Sequence, residues 1–180
     1  MEKHLTHIAL FAALIAVLGL VPKIDLASGV PITAQSLGIM LCGTVLGAKR
    51  GALAVLLFLA LTLAGLPLLS GGRGGLGVLA SPTSGYVIGF PIAAFVTGMI
   101  VENWRAPILP VAIIAAFLGG LVLLNTIGIL GMAYVLDKNL AEASLLALPF
   151  LIGDLIKSVL AGFITQAIAR MRPDALLSRS

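Results

Sequence analysis

Long apolar runs, separated by short polar or glycine-rich stretches, dominate the pattern of the chain. A helix that crosses a bilayer needs about 20 mostly apolar residues, and six runs approach or exceed that length. They cover residues 5–21, 32–48, 51–69, 85–101, 108–135 and 143–169. The pattern predicts an all-α integral membrane protein, one domain over residues 1–180 with six transmembrane helices. The fifth run is too long for one straight span, so we expect it to tilt or break near residues 125–128.

Composition supports this fold class. Charged residues make up 10% of the chain and hydrophobic residues 60%, whereas a soluble domain carries about 25% charged residues. These values exclude a disordered chain, a disulfide-rich scaffold and an ordinary soluble enzyme. Cys42 is the single cysteine in the sequence, so it forms no intramolecular disulfide or zinc site, and we expect it to fill space in the core.

The distribution of basic residues predicts the orientation of the spans. If the N-terminus is inside, the inner segments carry Lys3, Lys49, Arg50, Arg105, Arg170, Arg172 and Arg179, and the outer segments carry Lys23, Arg73 and Lys138. Basic residues favour the cytoplasmic side, which predicts a multi-pass protein of the cell inner (plasma) membrane with both termini cytoplasmic. These bases lie singly at segment ends without an aromatic-basic patch, so lipid headgroups are a better expected partner than nucleic acid.

The two long loops, residues 22–31 and 67–84, both fall on the outer side, where they can cap a ligand pocket. The second loop contains Ser70-Gly71-Gly72-Arg73-Gly74-Gly75-Leu76-Gly77. No strand or downstream acidic residue supports a dinucleotide site there. The glycines allow close backbone approach, and the Arg73 guanidinium can bind a carboxylate through two hydrogen bonds. A flexible, solvated loop is the alternative.

Asp154 and Lys157 lie inside the last apolar run, three residues apart, and therefore share a helix face. Each costs at least ~2.5 kcal/mol at the centre of a bilayer, so both should face the interior of the bundle. One interpretation is a mutually neutralising pair that locks the helix. The other, which is the default for ionisable residues within a membrane, is a ligand site.

Four further polar side chains are candidates for the same site. Thr83, or its neighbour Ser84, can cap the fourth helix, whose free N–H groups suit an anion or a carbonyl. Tyr86 can form an aromatic wall or belong to an interfacial aromatic belt. Gln35 and Asn125 carry amides that can contact a ligand or bond a neighbouring helix, and Asn125 is favoured because it lies in the long fifth run.

The first run contains two overlapping pairs of small residues at four-residue spacing, Ala9/Ala13 and Ala12/Ala16. Such pairs let helix backbones approach closely in lipid, within the bundle or against a partner protein. His4 and His7 have no other candidate ligand nearby, so no metal site is expected, and no cofactor is expected either. No GxxxxGK[ST] sequence occurs, so the chain has no nucleotide-binding motif of that type.

Several of these features together resemble a known family. They are the small-residue first helix, Gly71-Gly72-Arg73-Gly74-Gly75, Pro82-Thr83-Ser84-Gly85-Tyr86 and Gly153-Asp154-Leu155-Ile156-Lys157. They resemble the BioY family, the biotin-specific substrate-binding subunits (S components) of energy-coupling-factor (ECF) transporters. The resemblance implies that the protein captures biotin from outside and docks, through the Ala-x-x-x-Ala surface of the first helix, on a transmembrane coupling subunit driven by two ATPase subunits.

Biotin also fits the polar residues of the chain. Asp154 could accept hydrogen bonds from the ureido N–H groups, while Asn125 or Gln35 donates to the ureido carbonyl. Arg73 or Lys157 would then pair with the tail carboxylate, and Arg73 is favoured because it lies nearer the outer entrance.

Two other functions remain open from the sequence. In a secondary transporter of a small carboxylated vitamin, Asp154 would relay protons. In an intramembrane enzyme it would act as a general base, although no second carboxylate, metal cluster or nucleophile lies at comparable depth.

Overall fold

The computed structural model describes residues 2–23 and 32–179, and this part of the chain is helical apart from its connecting loops. The α-helices in it are α1 (Glu2–Leu18), α2 (Gln35–Leu41), α3 (Ala48–Leu63), α4 (Ser84–Asn103), α5 (Ile108–Ala116), α6 (Leu124–Val135) and α7 (Leu140–Met171). There are also two π-helical segments, Cys42–Leu46 after α2 and Phe117–Leu123 between α5 and α6. The expected all-helical class is confirmed in the described residues.

Three helical segments are long and apolar enough to cross a membrane: Ser84–Asn103, Ile108–Val135 and Leu140–Met171. Two apolar segments are shorter, His4–Leu18 and Gln35–Leu46, and α3 has 16 residues. The protein is therefore a membrane protein, whereas the count of six spans and the inward orientation of both termini stay predictions.

The third predicted span ends earlier than its hydropathy indicated. Residues 51–69 are all part of one apolar run, but α3 stops at Leu63. Gly65 adopts a φ of 112°, a conformation that closes helices and that other residues rarely adopt. Pro67, which lacks an N–H donor, follows two residues later. Residues 66–69 are thereby released from the span and enter the loop that leads to Arg73.

The fifth predicted span is one rod whose hydrogen bonding changes in the middle. It runs as α5, the π segment and α6, so the irregular stretch lies at Phe117–Leu123 and not at the expected residues 125–128. The π segment contains Gly119 and Gly120, both buried, against Thr97 of α4 and Met40 of α2. The wider turn brings α6 to the centre of the bundle, where it packs on α4.

Helix α4 is the central element, and it packs against α3, α5, α6 and the π segment after α2. Its first turn lies directly on α6, because a side chain at Gly85 would meet the Ile127 carbonyl oxygen at 2.6 Å. Small residues of this kind allow the closest helix approaches in a bilayer. The start of α4 thus lies beside α6 and beneath the loop of residues 64–83, and this end of the bundle holds the candidate site.

Candidate functional site

A buried carboxylate forms the centre of the polar side chains at this end. Asp154, on α7, is only 4% exposed. Its Oδ1 accepts hydrogen bonds from Ser36 Oγ at 2.9 Å and from Lys157 Nζ at 3.0 Å, and its Oδ2 accepts one from Asn125 Nδ2 at 3.0 Å. A carboxylate offers about four acceptor positions. Three are used within the protein, so one remains for another donor.

Lys157 neutralises this carboxylate from one turn further along α7. Its Nζ lies 3.0 Å from Asp154 Oδ1 and donates a second hydrogen bond to Ser36 Oγ at 2.9 Å. An ammonium group has three N–H donors, and these two bonds leave one of them available. The predicted i,i+3 pair therefore forms, and Ser36 of α2 joins both of its members.

Asn125 lies behind the carboxylate, in the first turn of α6. Its Nδ2 donates to Asp154 and also to the Leu121 carbonyl oxygen, at 2.9 Å, in the preceding π segment. Its Oδ1 accepts a hydrogen bond from the Tyr86 hydroxyl at 3.2 Å. Both amide hydrogens are thus used inside the protein, and the side chain links Asp154 to Tyr86.

A cavity opens beside this network, between α2, α4, α6, α7 and the loop. The empty space between its walls, counted together with its open mouth, is about 560 Å³. Two aromatic rings wall it, Tyr86 and Phe150, whose centroids lie 5.8 Å apart in an edge-to-face arrangement. Its lining residues are Ile32, Thr33, Gln35, Ser36, Leu69, Arg73, Thr83, Tyr86, Val87, Phe90, Leu124, Phe150, Asp154 and Lys157.

Arg73 reaches the cavity from a tight turn. The backbones of Leu69 and Arg73 exchange two hydrogen bonds, of 3.0 and 3.2 Å, and between them Gly71 and Gly72 adopt φ values of 80° and 70°. Glycine adopts such angles without steric cost. The turn places the guanidinium where its Nε donates to the Ser70 carbonyl at 3.3 Å and its Nη1 contacts Thr83 Oγ1 at 3.4 Å.

Thr83 does not cap α4 in the way that the sequence suggested. It occupies the N-cap position, but its side chain makes no capping hydrogen bond, because its φ and ψ are already helical and its hydroxyl is directed elsewhere. That hydroxyl lies 2.7 Å from Ser81 Oγ and also contacts Arg73. Thr83 therefore helps to hold Arg73 at the rim of the cavity.

Gln35 has a structural role in addition to lining the cavity. It is 2% exposed, and its Nε2 donates to the carbonyl oxygens of Ile15 and Leu68 at 3.2 and 3.0 Å. Its Oε1 accepts from the Ser70 backbone N–H at 2.9 Å. Since both amide hydrogens are used, this side chain ties α1 and α2 to the start of the loop and has no donor left for a ligand carbonyl.

The structure thus brings all seven predicted ligand residues to one place, with Arg73, Asp154, Lys157, Gln35, Tyr86 and Thr83 on the cavity wall and Asn125 directly behind it. Sequence reasoning missed Ser36, although it directly follows Gln35 at the start of a predicted span. It also missed the walls formed by Phe90 and Phe150, because an aromatic residue that faces a ligand has the same sequence pattern as one in the core.

The structure distinguishes the two alanine pairs of α1. Ala9 and Ala13 are exposed, whereas Ala12 is 5% exposed and Ala16 is partly buried. The second pair packs inside the bundle, and the first lies on its outer surface. Within residues 2–23 and 32–179, no three His, Cys, Asp or Glu side chains lie close enough together to hold a metal ion.

Comparison with known proteins decides the family. A model described as the BioY family matches residues 2–174. The chain belongs to the BioY family. A biotin transporter BioY from Rhodobacter capsulatus is 51% identical, with 99% of this chain and 100% of that protein covered. A second, from Rhizobium etli, is 45% identical, with 92% of each chain covered.

A solved structure supports the same assignment. It is the S-component for biotin from an ECF-type ABC transporter, and it matches this BioY family member with a TM-score of 0.90 at 32% identity. The match covers 94% of this chain and 92% of the other. The resemblance inferred from the glycine-rich loop and the Gly153–Lys157 motif is therefore confirmed.

Proposed function

We propose that this protein is the substrate-binding subunit of an ATP-driven ECF transporter, and that it captures biotin and serves its uptake across the membrane. It is a transport protein and not an enzyme. The observation that carries the proposal is the cavity in which a neutralised Asp154–Lys157 pair and Arg73 face two aromatic walls. The 51% identity with a biotin transporter supports the choice of ligand.

The polar end of the cavity suits the ureido ring of biotin, which has two N–H donors and a carbonyl. Asp154 keeps about one acceptor position after its three hydrogen bonds, and that position can receive a ureido N–H. The spare N–H of Lys157 can donate to the ureido carbonyl. Asn125 and Gln35 are less suited to the carbonyl than the sequence indicated, since their donors are used within the protein.

The remaining parts of biotin match the rest of the cavity. The thiophane ring is apolar, and Tyr86, Phe90 and Phe150 offer apolar surface beside the polar end. The tail ends in a carboxylate, which the guanidinium of Arg73 can bind with charge-assisted hydrogen bonds. Arg73 lies in the loop and not within the helices, so the tail would point towards the mouth of the cavity.

We place the protein in the cell inner membrane with six spans, both termini cytoplasmic and the cavity open to the outer side. The transmembrane coupling subunit would dock on the exposed Ala9/Ala13 face of α1, and two ATPase subunits would supply the energy. The charge of Asp154 is balanced by Lys157 at 3.0 Å, which argues against proton coupling through this carboxylate.

The ligand is tested with the purified protein. We expect mass spectrometry to identify biotin as a co-purifying ligand. After the ligand has been removed, calorimetric titration should show that one biotin molecule binds per chain. A different co-purifying vitamin that displaces biotin would overturn the substrate and leave the architecture unaffected.

Docking is tested by enlarging the alanines of the outer face. Ala9→Leu/Ala13→Leu should lower ATP-dependent biotin uptake at least about fivefold, since the larger side chains prevent close helix approach. Biotin affinity should stay within about twofold. Leu5→Ile, a volume-conserving change on the same helix, serves as the control. Full uptake by the double variant would exclude this face as the docking surface.

A further inference from the structure

A second cavity lies at the opposite end of α4, a helix of 20 residues and about 30 Å in length. It lies between the start of α3, the end of α4 and the C-terminal segment of residues 177–179, and its volume with its open side is about 1040 Å³. Four basic residues line it: Lys49, Arg50, Arg105 and Arg179. This grouping of cations has no role in the capture of a ligand at the other end.

The C-terminal segment gives this cavity a fixed wall. Ser178 is 4% exposed, and its hydroxyl donates to the Thr44 carbonyl oxygen at 2.6 Å. Arg50 donates to the Leu177 carbonyl at 3.0 Å, and Arg179 donates to the carbonyls of Trp104 and Ala106 at 2.8 and 3.2 Å. These bonds orient two guanidinium groups towards neutral oxygens, so they position the positive charges without neutralising them.

The charge of the cavity is strongly unbalanced. Glu102 is the one carboxylate among its lining residues, and its Oε1 accepts a hydrogen bond of 2.9 Å from the backbone N–H of Ala48 at the start of α3. In the described part of the chain, none of the four basic residues forms an ion pair. The cavity therefore presents a net positive charge that an anion would balance.

Arg179 has an unsatisfied hydrogen-bond donor and a second positive charge nearby. Its Nε is buried and finds no hydrogen-bond acceptor among the described residues. Burial lowers the pKa of Arg179 below its ordinary value, and the positive charge of Arg105 lowers it further. An anionic group placed between these two guanidinium groups would relieve the repulsion and could accept hydrogen bonds from both.

The other wall of the cavity is apolar and belongs to a membrane-spanning helix. Phe95 and Met99 lie one turn apart on α4 and are 40% and 42% exposed, inside the candidate span Ser84–Asn103. Trp104, which is 45% exposed, follows at the end of that helix, a typical position for an interfacial anchor. An occupant must therefore combine an anionic group with an apolar chain.

We propose that this cavity binds an anionic phospholipid, with the phosphate among Lys49, Arg50, Arg105 and Arg179 and an acyl chain along Phe95 and Met99. Basic pockets at the cytoplasmic ends of spanning helices are suited to such headgroups. An acidic protein segment would match the four cations but not the two exposed apolar side chains within the span.

The test is native mass spectrometry of the full chain in detergent, with phosphatidylglycerol or phosphatidylcholine of the same acyl composition added. We expect phosphatidylglycerol adducts to form at concentrations about tenfold lower than phosphatidylcholine adducts. Lys49→Gln/Arg105→Gln should weaken phosphatidylglycerol binding by about tenfold or more, as two contacts near the headgroup are lost. Both side chains are exposed and make no hydrogen bond within the described residues, so the fold should be retained, which thermal unfolding checks.

A matched variant distinguishes lipid binding at this cavity from a general attraction of anionic lipid to the positive surface. Arg170→Gln/Arg172→Gln removes the same charge from exposed positions that do not line the cavity, and it should change lipid binding less than twofold. Equal losses in the two double variants would overturn the proposal. So would retained binding by Lys49→Gln/Arg105→Gln, or displacement of the lipid by millimolar inorganic phosphate, which would identify a site for the free anion.

Discussion

At the end of the bundle where α4 begins, Asp154 and Lys157 form a largely buried ion pair, whereas Lys49 and Arg105, where α4 ends, are exposed and form no ion pair within the described residues. Asp154 is 4% exposed and holds Lys157 at 3.0 Å, and hydroxyl and amide groups fill most of the remaining positions around it. Lys49 and Arg105 are exposed and have no carboxylate partner in the described residues. Both ends are polar, but the polar groups are arranged in opposite ways.

The difference follows from the cost of removing charge from water. A buried ion requires a partner of opposite sign and further hydrogen bonds, since either charge alone would lose several kcal/mol of solvation. A charge at the membrane surface keeps its water or meets a lipid headgroup. The neutral, largely hydrogen-bonded Asp154–Lys157 pair is suited to a neutral ring such as the ureido group. A cavity with excess positive charge is suited to an anion.

Removing the charge of Asp154 should have the largest effect. Asp154→Asn leaves Lys157 without its counter-ion, and breaking a buried pair from one side costs ~3–5 kcal/mol. We expect biotin affinity to fall by more than tenfold in calorimetric titration, together with a lower thermal stability in detergent. Near-native binding by this variant would contradict the role given to Asp154.

A double variant separates stability from recognition in this pair. Asp154→Leu/Lys157→Met replaces both charges with apolar side chains of similar size, which is often neutral or stabilising when a buried pair is removed whole. Stability should recover, but biotin binding should not, because no acceptor is left for the ureido N–H. If binding recovers with stability, the pair only holds the helices together.

The next largest effect is expected at the mouth of the cavity. Arg73→Ala removes the cation nearest the entrance, and a hydrogen bond to a charged group contributes about 1.5–3 kcal/mol, so biotin affinity should fall by about tenfold or more. Biotin amide, which lacks the carboxylate, should lose less than threefold. Lys138→Gln, a change at an exposed base paired with Glu142, is the control. Equal losses for the two ligands would mean that Arg73 only shapes the loop.

Some of these features could be predicted from the sequence, and others could not. Charges inside an apolar chain are so costly that Asp154 and Lys157 could be selected from the sequence alone. The end of α3 could not be predicted from hydropathy, since residues 64–69 are as apolar as the helix before them. The signals there were Gly65 and Pro67, whose backbone preferences override the apolar pattern.

The hydrogen-bond partners of the polar side chains could not be predicted from the sequence. Asn125 and Gln35 have the same donors and acceptors in any sequence, and only the fold shows that their amide hydrogens are used by neighbouring carbonyls and by Asp154. The alanine pairs of α1 present the same problem, because four-residue spacing defines two adjacent faces and does not say which of them the bundle covers.

Ser36, which the sequence did not reveal, provides a smaller test of the buried end. Its hydroxyl donates to Asp154 and accepts from Lys157, both at 2.9 Å. Ser36→Ala leaves the ion pair in place but removes its bridge, so biotin affinity should fall by about fivefold, or ~1 kcal/mol for a lost hydrogen bond. Ser144→Ala is the matched control, since that exposed hydroxyl bonds only to the Leu140 carbonyl of its own helix. An equal loss in both variants would mean that the effect is not specific to the bridge between Asp154 and Lys157.

The smallest effect on biotin is expected from the basic end, and it decides whether the two ends act separately. Lys49→Gln/Arg105→Gln changes two exposed charges at the opposite end of α4, more than a Debye length (about 8 Å at physiological salt) from the lining residue Phe90, so salt screens them. Biotin affinity in detergent should therefore change less than twofold, even where phosphatidylglycerol binding is lost. A contradicting result would be a larger change in the biotin affinity of the variant, together with a response to added phosphatidylglycerol that only the unsubstituted protein shows. Lipid at one end of α4 would then control the shape of the cavity at the other.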